Sequence, residues 1–194
     1  SWTLTALPLF VWMGEILFRT KLSENLFKGL APWMQRLPGG LIHVNVVGCA
    51  LFAAISGSSA ATVATVGKMS IPELRKRKYP EKILLGSLAG SGTLGLLIPP
   101  SIILIIYGVT VQESIAKLFI AGIIPGIMIA LIFMSYVVVW SLINKKSMPK
   151  SSENSSFLEK VKKSKQLMPV ILLILAVIGS IYTCLLYTSP SPRD

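Results

Sequence analysis

The chain is 194 residues long and 53% apolar, with only 14% charged residues and a mean hydropathy of +0.69. That charge is too little to coat a water-soluble surface, which excludes an ordinary soluble domain and points to an integral membrane protein. The net charge of +11 does not indicate nucleic acid: all but two of the 19 Lys and Arg residues, Lys117 and Arg193, fall in three spacers, 19–36, 68–82 and 145–165, the positive-inside pattern of a polytopic protein.

The first apolar segment, Trp2 to Phe18, is borderline in length and carries no signal-peptide pattern, so the first helix reads as truncated. Glu15 within it is either an intramembrane carboxylate, a functional candidate by default, or a group at the interface. The next run, Leu37 to Gly67, has no charged residue, with His43 its only titratable base, and is flanked on both sides by basic spacers. It must therefore cross twice or enter and return, and it is shorter than two spans of about 20 residues. A re-entrant hairpin from the cytoplasmic side satisfies both conditions. Its turn is predicted at Ser56 to Ser59, where small hydroxyl residues gather and helix propensity collapses. Ala53, Gly57 and Ala61 also have the spacing of a tight helix crossing, as do Gly86/Gly90 and Gly122/Gly126. His43, beside Asn45, reads as a hydrogen-bonded packing residue or a member of a polar pathway, and Cys49 and Cys184 read as packed thiols.

Arg75-Lys76-Arg77-Lys78-Tyr79 is expected to be a solvated topogenic loop, with lipid headgroup contact as the other reading. The uncharged run Ile83 to Gln112 holds Gly90-Ser91-Gly92-Thr93-Leu94-Gly95-Leu96-Leu97-Ile98-Pro99-Pro100-Ser101. Three glycines before two successive prolines predict a helix that unwinds and restarts, because proline has no N–H to give a preceding carbonyl. Carbonyls freed in this way are oxygen ligands. Those of Gly92, Thr93, Gly95 and Ile98, with the hydroxyls of Ser56, Ser58, Ser59, Thr62 and Thr93, make a neutral cage that suits a monovalent cation which must also leave. The same glycines match a dinucleotide fingerprint literally, but prolines stand where the phosphate-binding helix should run. Gly67-Lys68 lacks the remainder of a phosphate loop.

Two further apolar runs, Leu118 to Asn144 and Gln166 to Pro192, complete the set. With the basic spacers cytoplasmic, Ile83 to Tyr107 runs outward, Ile115 to Trp140 returns, and Leu167 to Tyr187 runs outward again. Pro125 adds at most a kink. The sequon at Asn154 falls in a cytoplasmic spacer. No Ser/His pair or paired acids offer catalysis, so the chain reads as no enzyme.

In their order and spacing, Leu7-Pro8-Leu9-Phe10, Gly14-Glu15, Leu37-Pro38-Gly39-Gly40-Leu41, the Phe52 to Thr62 tip, Gly92 to Ser101 and Leu118 to Gly126 resemble the large membrane subunit of tripartite ATP-independent periplasmic (TRAP) transporters, of the DctM type. The likeness covers about residues 5–183. It implies an all-α integral membrane fold, the first half of an inverted-repeat elevator-type ion transporter with a re-entrant helical hairpin and a discontinuous helix. It further implies a multi-pass permease of the bacterial inner membrane that imports organic acids such as C4-dicarboxylates with sodium. The implied partners are a small membrane subunit and a periplasmic substrate-binding protein, and no cofactor beyond Na+ is expected.

On this reading residues 1–184 form part of the permease, with the second hairpin and second broken helix missing. The polar, proline-rich residues 185–194 look like a non-native tail. Sodium between the Ser56 to Ser59 tip and the Gly92 to Pro100 break would order the hairpin, and Ser56, Gly57, Ser58, Ser59, Pro99, Pro100 and Ser101 would hold the carboxylate, each ligand favouring the other by linkage. Two alternatives stay open: a proton-coupled carrier of related architecture using Glu15, and a noncatalytic membrane scaffold.

Overall fold

The computed structural model describes residues 22–149 and 164–182, with Pro8, Trp12 and Ile16 as single helical positions. Glu15, Cys184 and residues 185–194 lie outside the described residues, as does most of the third basic spacer. Every regular element among the described residues is helical: α1 (Leu22–Met34), α2 (Ile42–Ser56), α3 (Ser59–Lys76), α4 (Glu81–Gly92), the single turn α5 (Leu94–Leu97), α6 (Ile102–Val111), α7 (Ile115–Ile143) and α8 (Met168–Tyr182). Short 3-10 turns at Lys145–Ser147 and Lys165–Leu167 flank the last connection.

Helix α2 is the axis of the molecule. It packs against α1, α3, α4, α5, α7 and α8, and most of its residues are buried. An apolar face on one side only would leave such a helix half exposed; here Val44, Val46, Phe52 and Ile55 cover one part of the circumference, and the small residues Gly48, Ala53 and Ala54 let neighbours close in on the rest. One buried polar group of α2, the Asn45 amide nitrogen, is bonded to α4. Asn45 Nδ2 donates to the Leu84 carbonyl at 3.2 Å and to Ser87 Oγ at 3.0 Å, while Ser91 Oγ donates to the Ser87 carbonyl at 2.6 Å. His43 Nε2 lies 2.7 Å from the Pro38 carbonyl, a packing role for this side chain. Cys49 is a buried free thiol.

Two basic spacers are more ordered than their charge suggests. Residues 19–36 contain α1, whose Leu26, Phe27 and Leu30 follow helical spacing and are buried in the core. The segment 68–76 continues α3 without interruption, so Arg75 and Lys76 form its last turn and only 77–80 make a loop. Buried Leu74 and Ser70 hold that end to the bundle, and Arg77 Nε bonds Glu73 Oε1 at 2.8 Å one turn apart. In the loop, Leu41 N–H donates to the Tyr79 hydroxyl at 3.2 Å, tying the base of α2 to the base of α3. Burial pushes the Tyr79 phenol above its ordinary range, and the Leu41 hydrogen bond and Arg77 partly offset this, so it is neutral at physiological pH.

Two helical stretches among the described residues are long and apolar enough to cross a membrane: Glu81–Val111, which contains α4, the break and α6, and Ile115–Ile143. Both run a few residues beyond the expected spans, and α7 continues through Pro125. The described part of α8 is shorter, at 15 residues.

The small-residue pairs divide. Gly122 and Gly126 of α7 seat the broken segment: a Cβ on Gly122 would stand 2.9 Å from the Leu97 carbonyl oxygen, and one on Gly126 2.9 Å from Ile98 Cγ1. Gly90 meets the Phe133 ring at 3.0 Å. Gly86 meets nothing within 4 Å, which corrects the expectation that it marks a helix crossing. Gly86→Ala is therefore expected to leave thermal stability unchanged or raise it by up to about 1 kcal/mol through helix propensity; a fall in midpoint on detergent-solubilised protein would refute this.

Candidate functional site

The site is where the hairpin formed by α2 and α3 meets the break between α4 and α6. Helix α2 ends at Ser56 because Gly57 takes a left-handed conformation at φ +61°, which costs a residue with a Cβ about 1–2 kcal/mol. Its N–H still reaches back to the Ala53 carbonyl at 3.1 Å. Ser58 is extended and caps α3, its Oγ accepting from Ala61 N–H at 3.5 Å. The turn is therefore two residues long and falls inside the predicted Ser56 to Ser59 interval.

A ring of hydroxyls rigidifies it. Thr62 Oγ1 donates to the Ser58 carbonyl at 2.7 Å and lies 3.0 Å from Ser56 Oγ, which in turn accepts from Ser58 N–H at 3.4 Å. With the Thr62 proton on Ser58, Ser56 donates to Thr62. Each of these two oxygens then retains one lone pair, since a hydroxyl accepts twice. Ser59 differs: its Oγ is buried and has no hydrogen-bond partner. A buried hydroxyl left unpaired costs about 1–3 kcal/mol, and of the three such hydroxyls among the described residues, Ser59, Thr65 and Ser70, Ser59 is the one at the tip.

The second element breaks in two steps. Helix α4 ends at Gly92, the turn α5 follows, Ile98 is extended, and α6 begins after Ser101. Ser101 closes the gap, with its Oγ donating to the Leu96 carbonyl at 2.6 Å and accepting from Leu104 N–H at 3.5 Å as the cap of α6. Thr93 sits at the first step but is exposed, and its Oγ1 turns back to the Gly90 carbonyl at 2.7 Å. Its own carbonyl accepts from Leu96 N–H at 3.0 Å. Thr93 is thus the expected ligand whose groups are most committed to its own chain.

The two elements interlock through backbone. Ile102 N–H donates to the Gly57 carbonyl at 3.2 Å. Gly95 lies directly on the tip: a Cβ there would come within 2.8 Å of Ser59 N and 2.9 Å of the Ser58 carbonyl carbon. Gly92 faces Val63 of α3 so closely that its missing side chain is required. On the other side of the break, Pro99 and Pro100 face an apolar cavity of about 270 Å³ shared with Ala54, Phe119, Ile123 and Ile178. At Pro100 it is the backbone that lies against Gly57.

The consequence is electrostatic. Across the Ile102–Gly57 bond the N-terminus of α6 meets the C-cap of α2, while Gly92 at the end of α4 and Gly95 in α5 lie against Val63 and the Ser58–Ser59 backbone at the start of α3, so helix ends of both signs are gathered at one place. N-terminal N–H groups favour an anion, and C-terminal carbonyls favour a cation. Among the described residues no group of three or more His, Cys, Asp or Glu could hold a metal, so the oxygens available are neutral hydroxyls and carbonyls. Sequence reasoning found the tip and the break but missed Gly95 as a packing residue and the orphaned state of the Ser59 hydroxyl. A glycine opposite a serine-rich turn was the only signal.

The sequence matches the family model described as "Tripartite ATP-independent periplasmic transporter, DctM component" over residues 1–189. It is 35% identical over 182 residues to the C4-dicarboxylate TRAP transporter large permease protein DctM of Pseudomonas aeruginosa, which takes in 94% of this chain and 42% of that protein. Similarity of the same order links it to the sialic acid TRAP transporter large permease protein SiaM of Vibrio cholerae, 34% over 185 residues with 94% and 42% covered. The ectoine/5-hydroxyectoine TRAP transporter large permease protein UehC of Ruegeria pomeroyi is 32% identical over 180 residues, with 93% and 41% covered. The chain thus spans less than half the length of these relatives. With the match running through both the serine-rich tip and the glycine and proline break, the chain belongs to the DctM family of TRAP transporter large permease proteins.

Proposed function

We propose that this chain is the first repeat of a permease subunit that imports organic acids such as C4-dicarboxylates across the bacterial inner membrane, coupled to sodium and supplied by a periplasmic binding protein. A small membrane subunit braces it while the hairpin and broken helix move as an elevator. The observation that carries the reading is the meeting of two interrupted helical elements, Gly57 against Pro100 and Ile102 and Gly95 against Ser58 and Ser59, with the unpartnered Ser59 hydroxyl beside the contact. Sodium is held by neutral oxygens: Ser59 Oγ, the free lone pairs of Ser56 and Thr62, and carbonyls at the ends of α2 and of the break, including those of Gly92, Gly95 and Ile98. A neutral ligand set suits an ion that must also be released. The substrate carboxylate lies at the first turn of α3, where N–H groups beyond Ser58 have no intrahelical acceptor.

Depth supports re-entrance. The base of the hairpin is tied to the loop that starts α4 through Leu41 and Tyr79, while its tip meets the break about midway along Glu81–Val111. On this reading the hairpin enters from one face and turns near the middle of the span. A tripartite system has two other components, which the small membrane subunit and the binding protein supply.

Ser59→Ala is the cleanest test because this hydroxyl bonds nothing, whereas Ser58→Ala also removes a helix cap. In proteoliposomes holding a full-length permease that carries this segment, with its partner subunits, the variant is expected to raise the half-saturating sodium concentration about tenfold or more while keeping its thermal midpoint in sodium-free buffer. Unaltered sodium dependence would remove Ser59 from the ion site, and uptake indifferent to sodium in the unsubstituted protein would favour proton coupling.

A further inference from the structure

Six basic residues of the described chain gather at one end of the bundle. Helix α3 ends there with Arg75 and Lys76, the loop adds Arg77 and Lys78, α4 starts there with Lys82, and α7 delivers Lys145. Three contacts show that these ends are neighbours. Arg75 Nε pairs with Glu81 Oε1 at 2.9 Å, the Tyr79 hydroxyl takes Leu41 N–H at 3.2 Å, and Tyr79, Trp140 and Met148 all pack on the cluster of Ile42, Ile83 and Val137. The carboxylates described at this end are used locally: Glu73 holds Arg77, and Glu81 holds Arg75. Lys76, Lys78 and Lys82 have no carboxylate partner among the described residues, and all three project from the junction of α3 and α4. The opposite end of the spans, at 112–117, carries Glu113 and Lys117 in balance.

A cluster of unneutralised lysines at the end of two membrane-spanning elements, beside aromatic side chains at the same level, faces the headgroup layer, and charge complementarity names its occupant. We propose that Lys76, Lys78 and Lys82 form a binding shelf for the phosphate of an anionic phospholipid. The lipid joins the end of α3 to the start of α4. Because α3 also begins at the Ser58 tip, a headgroup seated on the shelf holds the base of the same helix whose N-terminus lies at the break. Lys78 adopts φ 60° and Tyr79 is bonded to α2, so the loop that bears the shelf is fixed rather than free.

Each lysine near an anionic surface contributes up to roughly fivefold in headgroup affinity. The test reads the thermal midpoint of the 194-residue chain by tryptophan fluorescence in phosphatidylcholine nanodiscs with increasing phosphatidylglycerol. Phosphatidylglycerol is expected to raise the midpoint. Lys76→Gln, Lys78→Gln and Lys82→Gln together are expected to abolish most of that rise without lowering the midpoint in pure phosphatidylcholine, and Lys117→Gln at the opposite end is expected to keep it. Should the triple variant fail to fold, Lys82→Gln alone is expected to raise the half-maximal phosphatidylglycerol fraction up to about fivefold. The proposal is overturned if phosphatidylglycerol gives no rise, or if the triple variant keeps the rise. It is equally overturned if inorganic phosphate or polyglutamate gives the same rise in pure phosphatidylcholine at equal ionic strength, since the ligand would then be a free anion or an acidic protein segment.

Discussion

Replacing Gly57 by alanine is expected to lower the stability of the chain by about 2–5 kcal/mol. Two costs act at once. The left-handed backbone at φ +61° charges a Cβ about 1–2 kcal/mol, and the added carbon would meet the Pro100 carbonyl oxygen at 2.5 Å, an overpacking contact of typically 1–3 kcal/mol. The carbonyl of the same residue accepts from Ile102 N–H, so a shift that relieves the clash loosens the bond holding tip and break together. Titration of folded protein with denaturing detergent checks this, and a loss under about 0.5 kcal/mol would show that the tip is free to move away from the break. Gly57→Asn separates the two costs, because asparagine tolerates the left-handed region yet still brings the Cβ.

Gly95→Ala is expected to act on function more than on folding. Gly95 belongs to a single turn flanked by interruptions, and its backbone is unexceptional; what its missing side chain provides is room for the Ser58 and Ser59 backbone, which an added Cβ would meet at 2.8 to 2.9 Å. Backbone cannot rotate aside as a side chain does, so the hairpin and the break must separate by a few tenths of an ångström or more. A penalty of about 1–3 kcal/mol on the closed arrangement lowers its population roughly five- to 150-fold. Uptake by a full-length permease carrying this segment is expected to fall at least about fivefold, with a higher sodium requirement. Normal uptake by Gly95→Ala would mean that the transporting state keeps tip and break apart, and the proposed ion site would lose its walls.

Much of this was readable from residue order. Charge placement alone set the apolar segments apart from the basic spacers, because a lysine in hydrocarbon is costly, and two of those segments are helices long and apolar enough to cross a membrane. The serine-rich tip and the double proline announced interruptions of helix for local reasons, hydroxyl competition and a missing N–H, and both interruptions are where those residues stand. The spacer helices were less legible. Charge at Arg36 and at Arg75 to Lys82 reads as loop, while the buried faces of Leu26, Phe27, Leu30 and Leu74 decide for helix through contacts with α2 and the rest of the core.

The chain by itself determined where apolar segments alternate with basic spacers and where two helices break, since both follow from the solvation and hydrogen bonding of single groups. Only the tertiary structure decided that the two breaks meet. Gly57 against Pro100, Gly95 against Ser58 and Ser59, and the unbonded Ser59 hydroxyl are relations between residues about 36 to 43 positions apart in sequence, and no local preference encodes a distance of that kind. It arises from close packing of backbones around α2, where a missing side chain on one element matters only because of what stands opposite.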